Sequence, residues 1–159
     1  MLTINVICVG KIKEKFFRDA LDEYSKRLSR YCKLEITELP DEKIPNNPSE
    51  KVVHEIKGRE CTNIIAHIKK DSYVICLDLA GKQLSSEELS SKLDNIALTN
   101  SHITFIIGGS LGLTKNTLSI ANESLSFSKL TFPHQLIRVF LLEQIYRAFK
   151  ISNGEIYHK

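Results

Sequence analysis

Cysteine pairs at metal or redox spacing, a Walker glycine loop, histidines one helical turn apart and long hydrophobic runs are all missing from this 159-residue chain. Cys8, Cys32, Cys61 and Cys76 form no CxxC, which argues against a zinc ribbon or a dithiol redox centre; reduced thiols in a cytoplasmic setting are expected. No GK[ST] follows any glycine, so a P-loop is excluded. None of the five histidines stands four residues from another, and no metal site is expected. No apolar run approaches the roughly 20 residues that a membrane-spanning helix requires. The first nine residues are apolar, but they lack a basic leader and a cleavage site and lysines follow at once, so they read as a strand rather than a signal sequence. Neither repeats nor low-complexity tracts occur. The charge of +3 admits a nucleic-acid partner without demanding one.

What is present is the composition of a folded protein, 42% hydrophobic and 26% charged, at a length suited to one domain spanning residues 1–159. Residues 2–9 and 33–39 read as strands, with Phe16, Phe17, Ala20, Leu21, Tyr24 and Leu28 at helical spacing between them. Three prolines make residues 40–48 a loop, and Ser49 is placed to cap a helix reaching about residue 68. A third strand at 73–79 runs into the turn Ala80-Gly81-Lys82. Ser85 and Glu88 then form a capping box opening a helix to about residue 98. Residues 103–107 are a fourth strand, apolar without alternation and therefore buried on both faces. A short helix at 116–121, a short strand at 125–128 and a last helix from Pro133 to about residue 151 complete the chain. Alternating strands and helices predict an α/β fold, an open and mostly parallel sheet with helices on both faces. In such sheets ligands sit beyond the carboxyl ends of the strands, which directs attention to the loops after residues 79 and 107.

The second loop is Gly108-Gly109-Ser110-Leu111-Gly112. Its glycines would let main-chain N–H groups approach a ligand, although a tight strand-to-helix turn has the same composition. The spacing is not that of a dinucleotide-binding loop. The last helix is apolar in nearly every direction, from Leu136 and Ile137 through Phe140, Leu141 and Leu142 to Ile145, Tyr146 and Phe149. A helix of that kind must be buried all round, with one face covered by a second copy of the chain. Glu143 and Arg147, one turn apart, can pair. His134 stands where it could cap this helix. Lys26, Arg27, Arg30 and Lys33 surround Tyr24 and Tyr31, a pattern that fits either a solvated helix face or a surface for phosphates and bases.

Val9-Gly10-Lys11-Ile12-Lys13, the run 77–82, Phe105-Ile106-Ile107-Gly108-Gly109, the long segment 125–135, Tyr146-Arg147-Ala148 and the terminal Tyr157-His158 together carry a resemblance to the ribosomal RNA large subunit methyltransferase H family. It runs from end to end, and the 125–135 segment and the Tyr-His ending are its most specific parts. It implies a SPOUT-class domain with a C-terminal trefoil knot, working as a homodimer in the cytoplasm. The implied reaction is transfer of a methyl group from S-adenosylmethionine to N3 of a pseudouridine in 23S rRNA of the ribosomal large subunit, without a metal.

Carried onto this sequence, the resemblance assigns the donor site to Leu77, Gly108, Gly109, Phe127, Ser128, Lys129, Leu130, Thr131 and Phe132. It assigns the acceptor side to Arg147, Tyr157 and His158, with His158, or Tyr157 assisted by it, taking the N3 proton and Glu143 orienting Arg147. With no added RNA-binding domain, recognition would fall to the dimer surface. Leu111 departs from the pattern, standing where a polar residue is expected. Two other readings fit parts of the chain: a related SPOUT enzyme acting on tRNA, and a non-catalytic flavodoxin-like or receiver-type module. A receiver would carry acidic residues at the end of the first strand, where Val9-Gly10-Lys11 stands.

Overall fold

In the computed structural model, which describes residues 1–157, the elements alternate as expected. They are β1 (Thr3–Val9), α1 (Lys15–Leu28), β2 (Lys33–Leu39), α2 (Glu50–His67), β3 (Tyr73–Gln83), α3 (Ser86–Ala97), β4 (His102–Ile107), α4 (Lys115–Ile120), β5 (Glu123–Ser126) and α5 (His134–Ser152). All five strands are parallel, in the order β2-β1-β4-β3-β5. Every residue of β1 is buried, as an inner strand of a parallel sheet requires. Its side chains divide by parity. Ile4, Val6 and Cys8 join the core beneath α1, α3 and α5, while Ile7 and Val9 join the core on the α2 and α4 side. The capping box of α3 forms as read, Ser85 N–H donating to Glu88 at 3.0 Å and Glu88 N–H to Ser85 Oγ at 3.1 Å. All four cysteines are free and buried, and burial pushes the thiols of Cys8, Cys32 and Cys76 up to about 12, so they pack as inert apolar groups.

The third strand departs from the sequence expectation. Residues 80–82 were read as a turn ending it, yet β3 continues to Gln83, with a register shift that pairs both Leu77 and Lys82 with Leu125. The looped-out residues let one strand touch its neighbour twice. Gly81 makes this possible: a Cβ there would stand 2.8 Å from main-chain atoms of Ser124 and Leu125. Correspondingly, β5 starts at Glu123, two residues earlier than the pattern of apolar residues suggested, because its side chains alternate too briefly to mark its start. From β5, at the sheet edge, the chain returns to the face occupied by α1 and α3, and α5 packs against both. Its route runs past the end of β3, where Lys82 and Gln83 pair with Leu125 and Ser126. This returning segment is the arrangement that a C-terminal trefoil knot calls for.

Arg138 holds α5 in that position. It reads as a polar exception on an apolar helix, but the structure buries it to 1% exposure. Its guanidinium donates to the carbonyls of Val9 and Gly10 at 3.1 and 2.8 Å and pairs with Glu38 at 3.2 Å. Glu38 also accepts from the N–H of Ile12 at 2.7 Å and pairs with Arg18 at 2.9 Å. One carboxylate and two guanidinium groups thus tie the ends of β1 and β2 to α1 and α5. Burial opposes ionisation of Glu38. The Ile12 N–H and the charges of Arg18 and Arg138 outweigh it and hold the carboxyl below its ordinary 4.5.

Two outcomes are expected. Because the folded value of Glu38 is the lowered one, its contribution is complete above its ordinary value and disappears as pH falls through the folded value. The urea midpoint should therefore drop on acidification below about pH 4.5, and Glu38→Gln should flatten that part of the profile. Gly81→Ala should destabilise the fold by about 1–3 kcal/mol, since the clash is with main chain, which cannot swing aside; an unchanged urea midpoint would show that the strands can separate without cost.

Candidate functional site

The loops following β3, β4 and β5 meet at the carboxyl end of the sheet around a cleft of about 240 Å³. The glycine loop forms one wall. It doubles back in a tight turn, Gly112 N–H donating to Gly109 O at 3.0 Å, with Gly112 at φ +78°. A Cβ on Gly108 would stand 2.9 Å from Leu113 and 3.1 Å from the Gly112 carbonyl carbon, so this glycine is required by packing inside the turn as well as by the open face. The opposite wall is the segment 126–132. Here Ser126 Oγ donates to Ser128 O at 2.9 Å and Ser128 Oγ accepts from Leu130 N–H at 3.0 Å. Ser128, expected on the donor site, lines the cleft, and its hydroxyl also closes a local turn by accepting from Leu130, which leaves its proton available.

Of the nine residues expected to hold the donor, Leu77, Gly108, Gly109, Phe127, Ser128, Leu130, Thr131 and Phe132 line this cleft. Lys129 does not. Leu111, the departure from the family pattern, is also absent from the wall, and its neighbours Gly112 and Leu113 are there instead. The sequence reading missed Asp78, which supplies the cleft's single carboxylate, and His134 and Ile137 from the first turn of α5. His134 does not cap the helix, which has Pro133 at its N-cap and no side-chain cap bond. Its ring packs instead toward Gly10, and burial together with the Arg138 charge holds its pKa below the ordinary 6.5, so it is neutral at pH 7. The periodicity of α5 could have flagged His134 as facing the same side as Arg138, but not what that side meets.

A second group of candidates gathers elsewhere. Arg147 donates to Glu143 Oε1 from Nε at 3.0 Å and from its terminal nitrogen at 2.6 Å, with both side chains under a quarter exposed. Tyr157 donates to the same oxygen at 3.2 Å, and the Arg147 guanidinium lies 4.7 Å from its ring centroid. The pair is thus a partly buried unit of three side chains rather than an isolated surface bridge. Burial and the neighbouring Glu143 carboxylate raise the Tyr157 phenol above its ordinary 10, which keeps it protonated and a donor. His158, the third acceptor-side candidate, lies outside the described residues. Ten residues of helix separate Ile137, at the cleft, from Arg147, roughly 15 Å along the axis. Within one chain the two groups of residues do not form one site.

Among the described residues no cluster of three or more His, Cys, Asp or Glu is placed to hold a metal ion, and no helix is long and apolar enough to cross a membrane.

The family model described as a predicted SPOUT methyltransferase matches residues 2–158. The ribosomal RNA large subunit methyltransferase H of Clostridium novyi (strain NT) is 60% identical over 159 residues, covering 99% of this chain and 100% of its own length. The proteins of the same name from Clostridium beijerinckii (strain ATCC 51743 / NCIMB 8052) and Clostridium botulinum (strain 657 / Type Ba4) are 59% and 61% identical over the same spans. A solved structure of a probable methylase family protein from Haemophilus influenzae Rd KW20 aligns with a TM-score of 0.54 at 15% identity, over 98% of this chain and 70% of that one, a likeness of fold alone. With a family model matched over residues 2–158 and identity near 60% over the whole length of relatives that share one name, the chain belongs to the SPOUT methyltransferases and, within them, to the ribosomal RNA large subunit methyltransferase H family.

Proposed function

We propose that this protein transfers the methyl group of S-adenosylmethionine to N3 of a pseudouridine in the 23S rRNA of the large ribosomal subunit, as a cytoplasmic homodimer. The observation that carries the reading is the convergence of eight residues, scattered from Leu77 to Phe132, on one cleft in a chain that matches full-length rRNA methyltransferases.

The cleft suits the donor. Leu77, Leu125, Phe127, Leu130 and Ile137 offer apolar surface for an adenine ring, and the main chain of Gly108 and of residues 126–132 offers groups to read its edge. Asp78 supplies a negative charge in a cleft meant for a cationic ligand. When bound, S-adenosylmethionine supplies a methyl carbon activated by its sulfonium, so the protein needs only to orient the two reactants in line and manage one proton.

The acceptor-side residues divide that work. Arg147, held by Glu143, offers a fixed positive charge to the ring carbonyl on which negative charge grows as N3 loses its proton. The raised Tyr157 phenol is a poor base and a good hydrogen-bond donor, which leaves acceptance of the N3 proton to His158. Because Arg147 and Tyr157 stand about 15 Å along α5 from the cleft of their own chain, the reading requires a second copy whose C-terminal segment meets this cleft. The least covered stripe of α5 fits that role: Phe140 is 39% exposed there, next to Phe132 at 5.4 Å between ring centroids.

Calorimetry should detect binding of S-adenosylmethionine, and absence of binding would refute the assignment of the cleft. A chain truncated after Ile156 should bind the donor but lose methylation of ribosomes by more than about 100-fold, the scale on which proton transfer and charge stabilisation operate. Full activity of that truncation would remove Tyr157 and His158 from the reaction. In cells lacking the protein the N3-methylpseudouridine signal of 23S rRNA should vanish, whereas activity of the purified enzyme on tRNA in place of ribosomes would redirect the substrate.

A further inference from the structure

Beside the acceptor cluster, the C-terminal half of α1 and the turn after it meet the C-terminal half of α5 in a seam of aromatic rings. Tyr31 stacks on Phe149 at 5.5 Å with an interplanar angle of 11°, and Tyr146 stands edge-on to Tyr31 at 6.1 Å and to Tyr157 at 5.0 Å. Tyr24 closes the seam at 6.4 Å from Tyr146. A joint between helices could be made of aliphatic side chains alone. This one is half-buried and carries cations on its rings. Arg27 lies 5.3 Å from the Tyr24 centroid and 5.7 Å from that of Tyr146, Arg30 lies 5.7 Å from Tyr31, and Lys150 sits over both Tyr31 and Tyr146.

The charges are not all neutralised locally. Glu23 takes Arg27 at 3.0 Å and Glu155 takes Lys150 at 2.7 Å, but Arg30 and its neighbour Lys26 make no ion pair among the described residues. The Arg27 side chain remains 40% exposed despite its partners. A partly exposed guanidinium lying on a ring is a preformed platform for a nucleobase; Arg27 gives its Nε to Glu23 and can turn its terminal nitrogens to phosphate. The seam is also continuous with the acceptor side, since the Tyr157 and Tyr146 rings meet edge to face at 5.0 Å. An acidic protein partner would use the charges and leave the aromatic planes idle; unpaired nucleotides use both.

We infer that the α1/α5 seam, with Arg27 and Arg30 as its exposed cations, is the RNA-docking surface of this protein and holds unpaired nucleotides flanking the target base. The inference rests on the proposed rRNA substrate and supplies a recognition surface for it. It also gives a function to the basic, tyrosine-containing stretch of α1 that the methyl-transfer chemistry does not use.

The test is binding of a 23S rRNA hairpin containing the target nucleotide, measured without S-adenosylmethionine across a salt series. For Arg27→Gln/Arg30→Gln the affinity at ~0.1 M salt should fall about tenfold or more, and the slope of log K against log salt should shrink by about two. Donor affinity by calorimetry and mass by sedimentation should stay as in the wild type. Arg27→Lys/Arg30→Lys should recover the slope but not the full affinity, because an ammonium keeps the charge and loses the planar stack. Unchanged affinity and slope in the glutamine variant would overturn the inference, as would a loss that tracks a change in oligomeric mass or that the lysine variant shares in slope. Wild-type protein that binds the hairpin through these arginines yet never methylates ribosomes would uphold the seam and refute the proposed reaction. Methylation of ribosomes with wild-type efficiency by the glutamine variant would do the reverse.

Discussion

The buried guanidinium of Arg138 is the interaction on which the placement of everything else depends. A charge taken out of water inside a helix–sheet interface is tolerated only with close partners, and here those partners are two main-chain carbonyls at the end of β1 and the carboxylate of Glu38 at the end of β2. Because the partners sit at the carboxyl edge of the sheet, the first turn of α5 is drawn to that edge. His134 and Ile137 thereby become walls of the cleft.

A steric constraint completes the cleft from the other side. Gly81 lets the extension of β3 lie against Leu125 and Ser126, so the loop leaving β5 starts from a fixed position beside Leu77. Residues 127–132 then run along the cleft on a backbone held by the Ser126 and Ser128 hydroxyls rather than by a helix or strand. Backbone free of secondary structure yet rigid is what a cleft lined by main chain requires, and it is stable here because the returning helix closes over it. The returning path looks costly from the rule that chains seldom thread loops. It is also what holds an irregular segment still.

The cleft takes the first turn of α5, while the Arg147, Glu143 and Tyr157 unit lies from the middle of the helix onward, beside the aromatic seam between α1 and α5. One helix thus separates a place suited to a small cationic ligand from a place suited to an anionic polymer. The separation is electrostatically sensible, since Asp78 is the charge facing the cleft while Arg27, Arg30 and Lys150 cluster at the far end. A symmetric pair of chains bringing the far end of one helix to the near end of the other would reunite them.

Much of the fold was legible in the residues themselves because local rules governed it. The unalternating β1 and β4, the Ser85–Glu88 box and the Ser49 cap each express an interaction between residues close in sequence. The sheet rule and the glycines pointed to the loops after residues 79 and 107, but the 127–132 wall was legible only through resemblance, as donor residues from 77 to 132 share no local pattern. What stayed hidden were the long-range facts: that Arg138 is buried rather than solvated, that the apparent turn at Gly81 continues a strand, that Ser128 closes its loop, and that His134 faces the cleft. Each depends on what stands opposite, over sequence separations of about 40 to 130 residues for Gly81 and Arg138. By itself the sequence determined the elements, the burial of the inner strands and the family, because periodicity, capping and motif identity are properties of neighbouring residues. The tertiary structure alone decided which polar groups are buried and how far the acceptor cluster lies from the cleft, because desolvation and reach are set by the packing of distant segments.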